Sequence, residues 1–135
     1  MGGPLNVPTP DQPPAGAIDG SIDPRADRRR QQCLALLRER RIVGDHLGFQ
    51  LCPNPSWDIL LDLYLAELED RTTYLWQSCV AANTPISSAH RKIGELIEQG
   101  LVERTGSFAD KRRVGIRLSA LGRMKFDRMM DRLVE

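Results

Sequence analysis

The sequence predicts a mainly α-helical fold that carries one small β-hairpin. Three observations predict it. Asp23-Pro24, Asn54-Pro55 and Thr84-Pro85 each place a capping side chain before a proline, the start pattern of a helix. Trp57, Leu60, Leu61, Tyr64 and Leu68 follow the second of these at i, i+3, i+4, i+7 and i+11, the spacing of one buried helical face. Val114, Ile116 and Leu118 alternate with Arg113, Gly115 and Arg117, the period of a strand with one face inside.

Residues 1–22 hold five of the nine prolines and four of the eleven glycines, so they are expected to be a disordered tail that cannot offset its ordering entropy. A helix starts at Asp23-Pro24, with Leu34, Leu37 and Cys33 as its apolar face and "DRRRQQ" and "RERR" as its polar remainder. Gly44 is expected to end it, and "GDHLGFQLCPN" to connect it onward, so that residues 23–53 form an N-terminal helix and loop. The Asn54-Pro55 helix follows, with Asp58, Asp62, Glu67 and Glu69 on its other faces.

Thr72 or Thr73 then caps a short helix to about Ala82. Asn83 marks a sharp turn, because asparagine tolerates the left-handed conformation. Thr84-Pro85 opens the next helix, which gathers Ala89, Ile93, Leu96 and Ile97 on one face and stops at Gly100. Two helices joined by a turn this short form a helix-turn-helix. The stretch "GLVERTGSFADKRRVGIRLSALGR" comes next: two strand-like runs around a polar, basic tip. A β-hairpin after a helix-turn-helix makes a winged helix, over residues 54–118. Ser119 caps a last helix, residues 119–135, carrying Leu121, Met124, Phe126, Met129, Met130, Leu133 and Val134. Leu121 and Met124 are expected to face the chain's own domain.

Composition bounds the function. At 135 residues, 41% hydrophobic and 27% charged, the chain suits one ordinary globular domain. The net charge of +1 hides an asymmetry of −4 over residues 1–70 and +5 over residues 71–135. Positive charge confined to one half is the footprint of a phosphate-facing surface. No membrane span or signal peptide is visible. Cys33, Cys52 and Cys79 form no C-x-x-C pair, so neither a disulfide framework nor a zinc site is expected, and a reducing cytoplasmic setting is. His46 and His90 are too scattered for a metal centre. No Ser-His-Asp set, carboxylate pair or phosphate-cradling loop points to an enzyme, and no cofactor is expected.

The run from Gly100 to Arg123 resembles the wing signature of the MarR family of bacterial transcription regulators. Its parts are a G-L-V-E-R start, a D-x-R tip matched here by Asp110 and Arg112, alternating apolar residues, then a small polar residue and glycine. The resemblance covers roughly Trp57 to Arg123. It implies a winged helix-turn-helix, DNA binding, usually a homodimer, and often a response to small phenolic or oxidising effectors, none of which the residues identify. The C-terminal arm, a single short helix, departs from the family's longer one.

The residues support the DNA reading independently. A helix fits the major groove, and residues near its N-terminus reach base edges. Ser87, Ser88, His90 and Arg91 occupy the first two turns off the apolar face, Arg91 being suited to guanine and Lys92 to phosphate. At the tip, Lys111, Arg112 and Arg113 concentrate charge suited to a narrow minor groove, and Asp110 is expected to hold Arg112 extended. A homodimer interface is expected from Leu34 and Leu37 with Phe126, Met129, Met130 and Leu133. Two rival readings remain. One is a protein–protein module using the acidic Trp57–Asp70 helix or the Met-rich last helix. The other is a sensor whose DNA binding has lapsed, with Cys33 or Cys52 as a redox thiol of lowered pKa.

Overall fold

The computed structural model describes residues 23–106 and 113–135. Its elements run α1 (Pro24–Leu47), α2 (Pro55–Leu68), β1 (Thr73–Tyr74), α3 (Leu75–Ala81), α4 (Ile86–Glu98), β2 (Val102–Thr105), β3 (Gly115–Leu118) and α5 (Ala120–Leu133). The expected tail lies outside the described residues.

Local chemistry sets the helix starts. Asp23 accepts from the Arg25 N–H, Asn54 from the Trp57 N–H and Ser119 from the Gly122 N–H, each satisfying a donor that the first turn leaves unpaired. The third start differs slightly: Pro85 rather than Thr84 is the cap of α4, without a side-chain bond. The stop of α1 also differs. Gly44 is helical, and the chain turns at Gly48, whose φ is +87°. Gly44 has another task. The Phe49 ring lies where a Cβ would be, so the ring packs directly on the helix backbone and would have to move aside for a side chain at that position.

α2 is the centre of the molecule. Sequence spacing suggested one buried face, but Ile59, Leu61, Leu63, Tyr64, Leu65 and Ala66 are all buried. α1, α3, α4 and β3 each pack against it. A helix covered on nearly every side is apolar nearly all round, as "ILLDLYLAEL" is.

The wing is part of a three-stranded antiparallel sheet ordered β1-β3-β2. Thr73 was expected to cap a helix. It pairs instead with Ile116, and Tyr74 with Gly115. Gln77 takes over the capping, its Oε1 accepting from the Tyr74 N–H at 2.8 Å. Central β3 joins β2 through Val102↔Leu118 and Arg104↔Ile116. Ile116, Leu118 and Val102 point into the core.

α5 closes the fold with the opposite face to the one expected. Phe126 and Met130 are buried at 6% and 0% exposure, whereas Leu121 and Met124 stand 42% and 40% exposed. Phe126 stacks on Trp57, ring centroids 5.8 Å apart, and packs on Tyr64 at 5.0 Å. Of the six residues expected at a dimer interface, Phe126 and Met130 therefore belong to the chain's own core. Leu34, Leu37 and Met129 pack partly against that core, and Leu133 is exposed. The start of α5 is held closely: Gly122 sits against the Leu101 carbonyl with no space for a Cβ.

Arginines of α1 tie the terminal helices to the centre. Arg29 grips Asp131 of α5 through two bonds of 2.8 Å. Arg30 donates twice to Glu69, at 2.6 and 3.1 Å. Arg40 grips Asp58 at 2.8 and 2.9 Å and also reaches the Cys52 carbonyl. The Arg29 pairing holds the Asp131 carboxyl below the usual range, and Arg71 with Arg30 does the same for Glu69. The Arg40–Asp58 pair is the most buried, with Asp58 only 4% exposed. Arg40→Ala should cost roughly 3–5 kcal/mol, because it strands a buried charge. Adding Asp58→Ala should recover part of that loss. Urea unfolding of the single and double variants measures both effects.

Candidate nucleic-acid interface

The helix-turn-helix is built from α3, a turn through Ala82 to Pro85, and α4. Asn83 makes the turn, with φ at +55°, the left-handed region expected of it. Its side-chain amide donates to the Ala81 carbonyl at 3.2 Å and to Asp58 at 3.4 Å, so the turn is fastened to the start of α2.

Packing holds α4 by one side only. Ala89, Ile93 and Leu96 are buried, with Ile97 partly so. Ser87, His90 and Arg91 are exposed, while Ser88 and Lys92 are half-buried at the flanks. The five residues that sequence reasoning selected on this helix thus share one connected surface away from the core. Gly94 lies there too, and a Cβ added to it would meet open space, so the fold does not require glycine at that position.

Two features of α4 were not singled out in the sequence. Glu95 accepts from Lys92 at 3.3 Å and lies 3.6 Å from Arg91, so one carboxylate serves both cations. The i+3 and i+4 spacing was the signal. These pairs lie at the surface, are worth little, and are easily exchanged for another anion. The other is Ile86, the first residue of the helix, which is 65% exposed.

In the wing, Glu103 and Arg117 face each other across β2 and β3, joined at 2.7 Å, and Arg104 is exposed. Gly106, with φ at +88°, turns the chain toward the tip. Arg113 is exposed on the return to β3. Asp110, Lys111 and Arg112 lie outside the described residues, as does the expected Asp110–Arg112 pairing.

An open cleft of about 520 Å³ runs between α1, α2 and the turn, lined by Leu34, Leu37, Phe49, Arg40, Asp62 and Asn83. Burial raises the Asp62 pKa there. The described residues contain no cluster of three or more metal-ligating side chains, and no helix long and apolar enough to cross a membrane.

The thiols correct one expectation. Cys33 is buried and donates to the Leu61 carbonyl at 3.4 Å. Burial pushes its pKa up to about 12, the reverse of what a redox thiol needs. Burial also raises that of Cys79, whereas Cys52 is exposed.

These parts define a winged helix: a helix-turn-helix followed by a β-hairpin, on a helical frame. The arrangement has a solved counterpart in a MarR family transcriptional regulator from Silicibacter pomeroyi DSS. The two superpose with a TM-score of 0.50 over 73% of this chain, at 21% identity, and this chain spans 66% of the length of that one. No family model matches the chain, and no curated protein does. The fold is MarR-like, as the wing residues implied.

A thiol reagent should label one of the three cysteines, Cys52, in the native chain and all three in denaturant. Because folding favours the neutral Cys33 thiol, its stabilisation is full below the unfolded thiol pKa of about 8.5 and is lost as pH rises toward about 12. Labelling of Cys33 should therefore accelerate with alkaline unfolding, measured as rate against pH.

Proposed function

We propose that the chain is a sequence-specific DNA-binding transcription regulator that acts as a homodimer. The observation that carries this reading is the division of α4. Ala89, Ile93 and Leu96 anchor the helix, while Ser87, His90 and Arg91 are presented together on its outer side. α4 is the recognition helix of this proposal and enters the major groove. Arg91 leaves Glu95 to make a bidentate contact with guanine, Ser87, Ser88 and His90 reach base edges or phosphates, and Lys92 holds a phosphate. The wing tip, Asp110 to Arg113, lies on the minor groove or backbone, with Arg112 inserted and Asp110 steering it. Residues 54–118 do the reading, and residues 23–53 and 119–135 hold two copies together.

The dimer proposal rests on apolar surface at the ends of the terminal helices. Leu133 and Val134 are 48% and 42% exposed at the end of α5, beside the Arg29–Asp131 clamp to α1. Ile42 and Leu47 are exposed on α1 itself. Pairing related by a two-fold axis sets two half-sites about 10 base pairs apart or a multiple of that. The cytoplasm is the proposed setting, in keeping with three free cysteines. A protein-docking role for α2 loses its ground, because that helix is enclosed by the rest of the chain.

Arg91→Ala should cost about 1–3 kcal/mol on the preferred duplex and relax preference at one base pair. Lys92→Ala and Arg112→Ala should weaken all duplexes alike and make the salt slope shallower. Binding titrations at several salt concentrations, on a site selected from a random DNA pool and on unrelated DNA, test both; equal losses for Arg91→Ala on the two would reduce it to a phosphate contact. Sedimentation tests the assembly: the parent should run as a dimer at micromolar concentration and Leu133→Asp as a folded monomer. A monomeric parent that binds a non-palindromic site ends the dimer proposal.

A further inference from the structure

We propose that Ile86 reads the C5-methyl group of a thymine, within two or three base pairs of the base that Arg91 contacts. This rests on the DNA-binding reading of α4 and adds a specificity determinant to it. Ile59, Ile93 and Ile116 are at most 2% exposed and Ile42 is 45% exposed, whereas Ile86 is 65% exposed. The buried row of α4 begins only at Ala89, so Ile86 overhangs the core at the leading end of the helix.

At 65% exposure, Ile86 contributes little to the core of the described residues. A β-branched apolar side chain is a mediocre helix former and offers no capping bond. Its neighbours on the exposed side are polar: Ser87 follows it, and His90 lies one turn further along the same side. Within α4, Ile86 is thus the exposed apolar group among hydrogen-bonding ones, at the end of the helix that reaches deepest in a groove-docked arrangement. The major-groove edge of DNA has one apolar feature, the thymine methyl. Five residues separate Ile86 from Arg91, about 7.5 Å along the helix. That is roughly two base-pair steps, which sets the spacing.

The probe is the tightest duplex selected by the full chain from a random pool, remade with each thymine replaced singly by deoxyuridine, which lacks only the methyl. The parent should lose about fourfold in affinity at one thymine per half-site, the loss expected for one buried methyl. Ile86→Ala should lose at least as much on the unmodified duplex and show no further loss on the deoxyuridine one. Leu121→Ala, altered at another exposed apolar side chain, should keep the parent's preference, and thermal melts of both variants should match the parent. The inference is overturned if no deoxyuridine replacement weakens the parent, if the selected site has no thymine at the recognised positions, or if Ile86→Ala still prefers thymine fourfold. Those outcomes leave DNA binding standing. A parent that selects no duplex overturns the DNA reading together with this one.

Discussion

The arrangement of this chain depends on one buried carboxylate. Asp58 lies at the start of α2, almost out of water, where an unpaired charge would be expensive. Two separate segments meet the need. Arg40 brings α1 across α2 in a fixed register, and its third bond, to the Cys52 carbonyl, draws in the loop between those helices. The Asn83 amide brings the turn of the helix-turn-helix to the same carboxylate. The orientation of α4 relative to the N-terminal arm is thus set around a polar contact. Bidentate geometry makes that contact directional, which apolar packing alone is not.

The same principle accounts for α1 as a whole. "DRRRQQCLALLRERR" has few apolar residues to bury, and those that help the core, Cys33, Leu34, Leu36 and Leu37, are flanked by arginines. Arg29, Arg30 and Arg40 each meet a carboxylate of α2 or α5. Asp127 adds a node on α5, accepting from Tyr64 and Arg123 and lying 3.6 Å from Arg29. Burial, and then that bond to Asp127, raise the Tyr64 pKa, so the phenol stays a donor. Three of the seven arginines in residues 1–70 are thus engaged by pairing inside the fold. Among the described residues, Arg91 and Lys92 of α4 both meet Glu95, a partner they can exchange.

What could be read from the sequence follows from how local each cause is. Asp23, Asn54 and Ser119 cap their helices as expected, because a cap acts within three residues. Asn83 and Gly100 turn the chain with positive φ for the same reason. The failures have distant causes. β1 is two residues long and exists through pairing with β3, some forty positions away, so nothing near Thr73 announces it. The inward face of α5 is chosen by the Trp57 and Tyr64 rings that receive Phe126, and apolar residues around the whole helix hid that choice. On α4 the outward position of the polar residues was legible because periodicity separates them from Ala89, Ile93 and Leu96. Ile86 was not, because composition cannot tell an apolar residue that overhangs the core from one inside it.

The fold secures α4 while leaving one side of it to solvent. α4 is fixed by a row of three buried side chains, by Asn83 before it and by Gly100 with the Ser119 hydroxyl after it. Ser119 donates to the Gly100 carbonyl at 2.5 Å while capping α5, so one side chain joins the end of α4 to the start of the last helix. With both ends and one side secured, the outer side of α4 has no structural duty. Gly94 fits this account: it lowers helix propensity in mid-helix with no neighbour that requires it. Residues there are free to answer to a partner, so substitutions on the outer side of α4 should change what the helix contacts while leaving the packing of α2 intact.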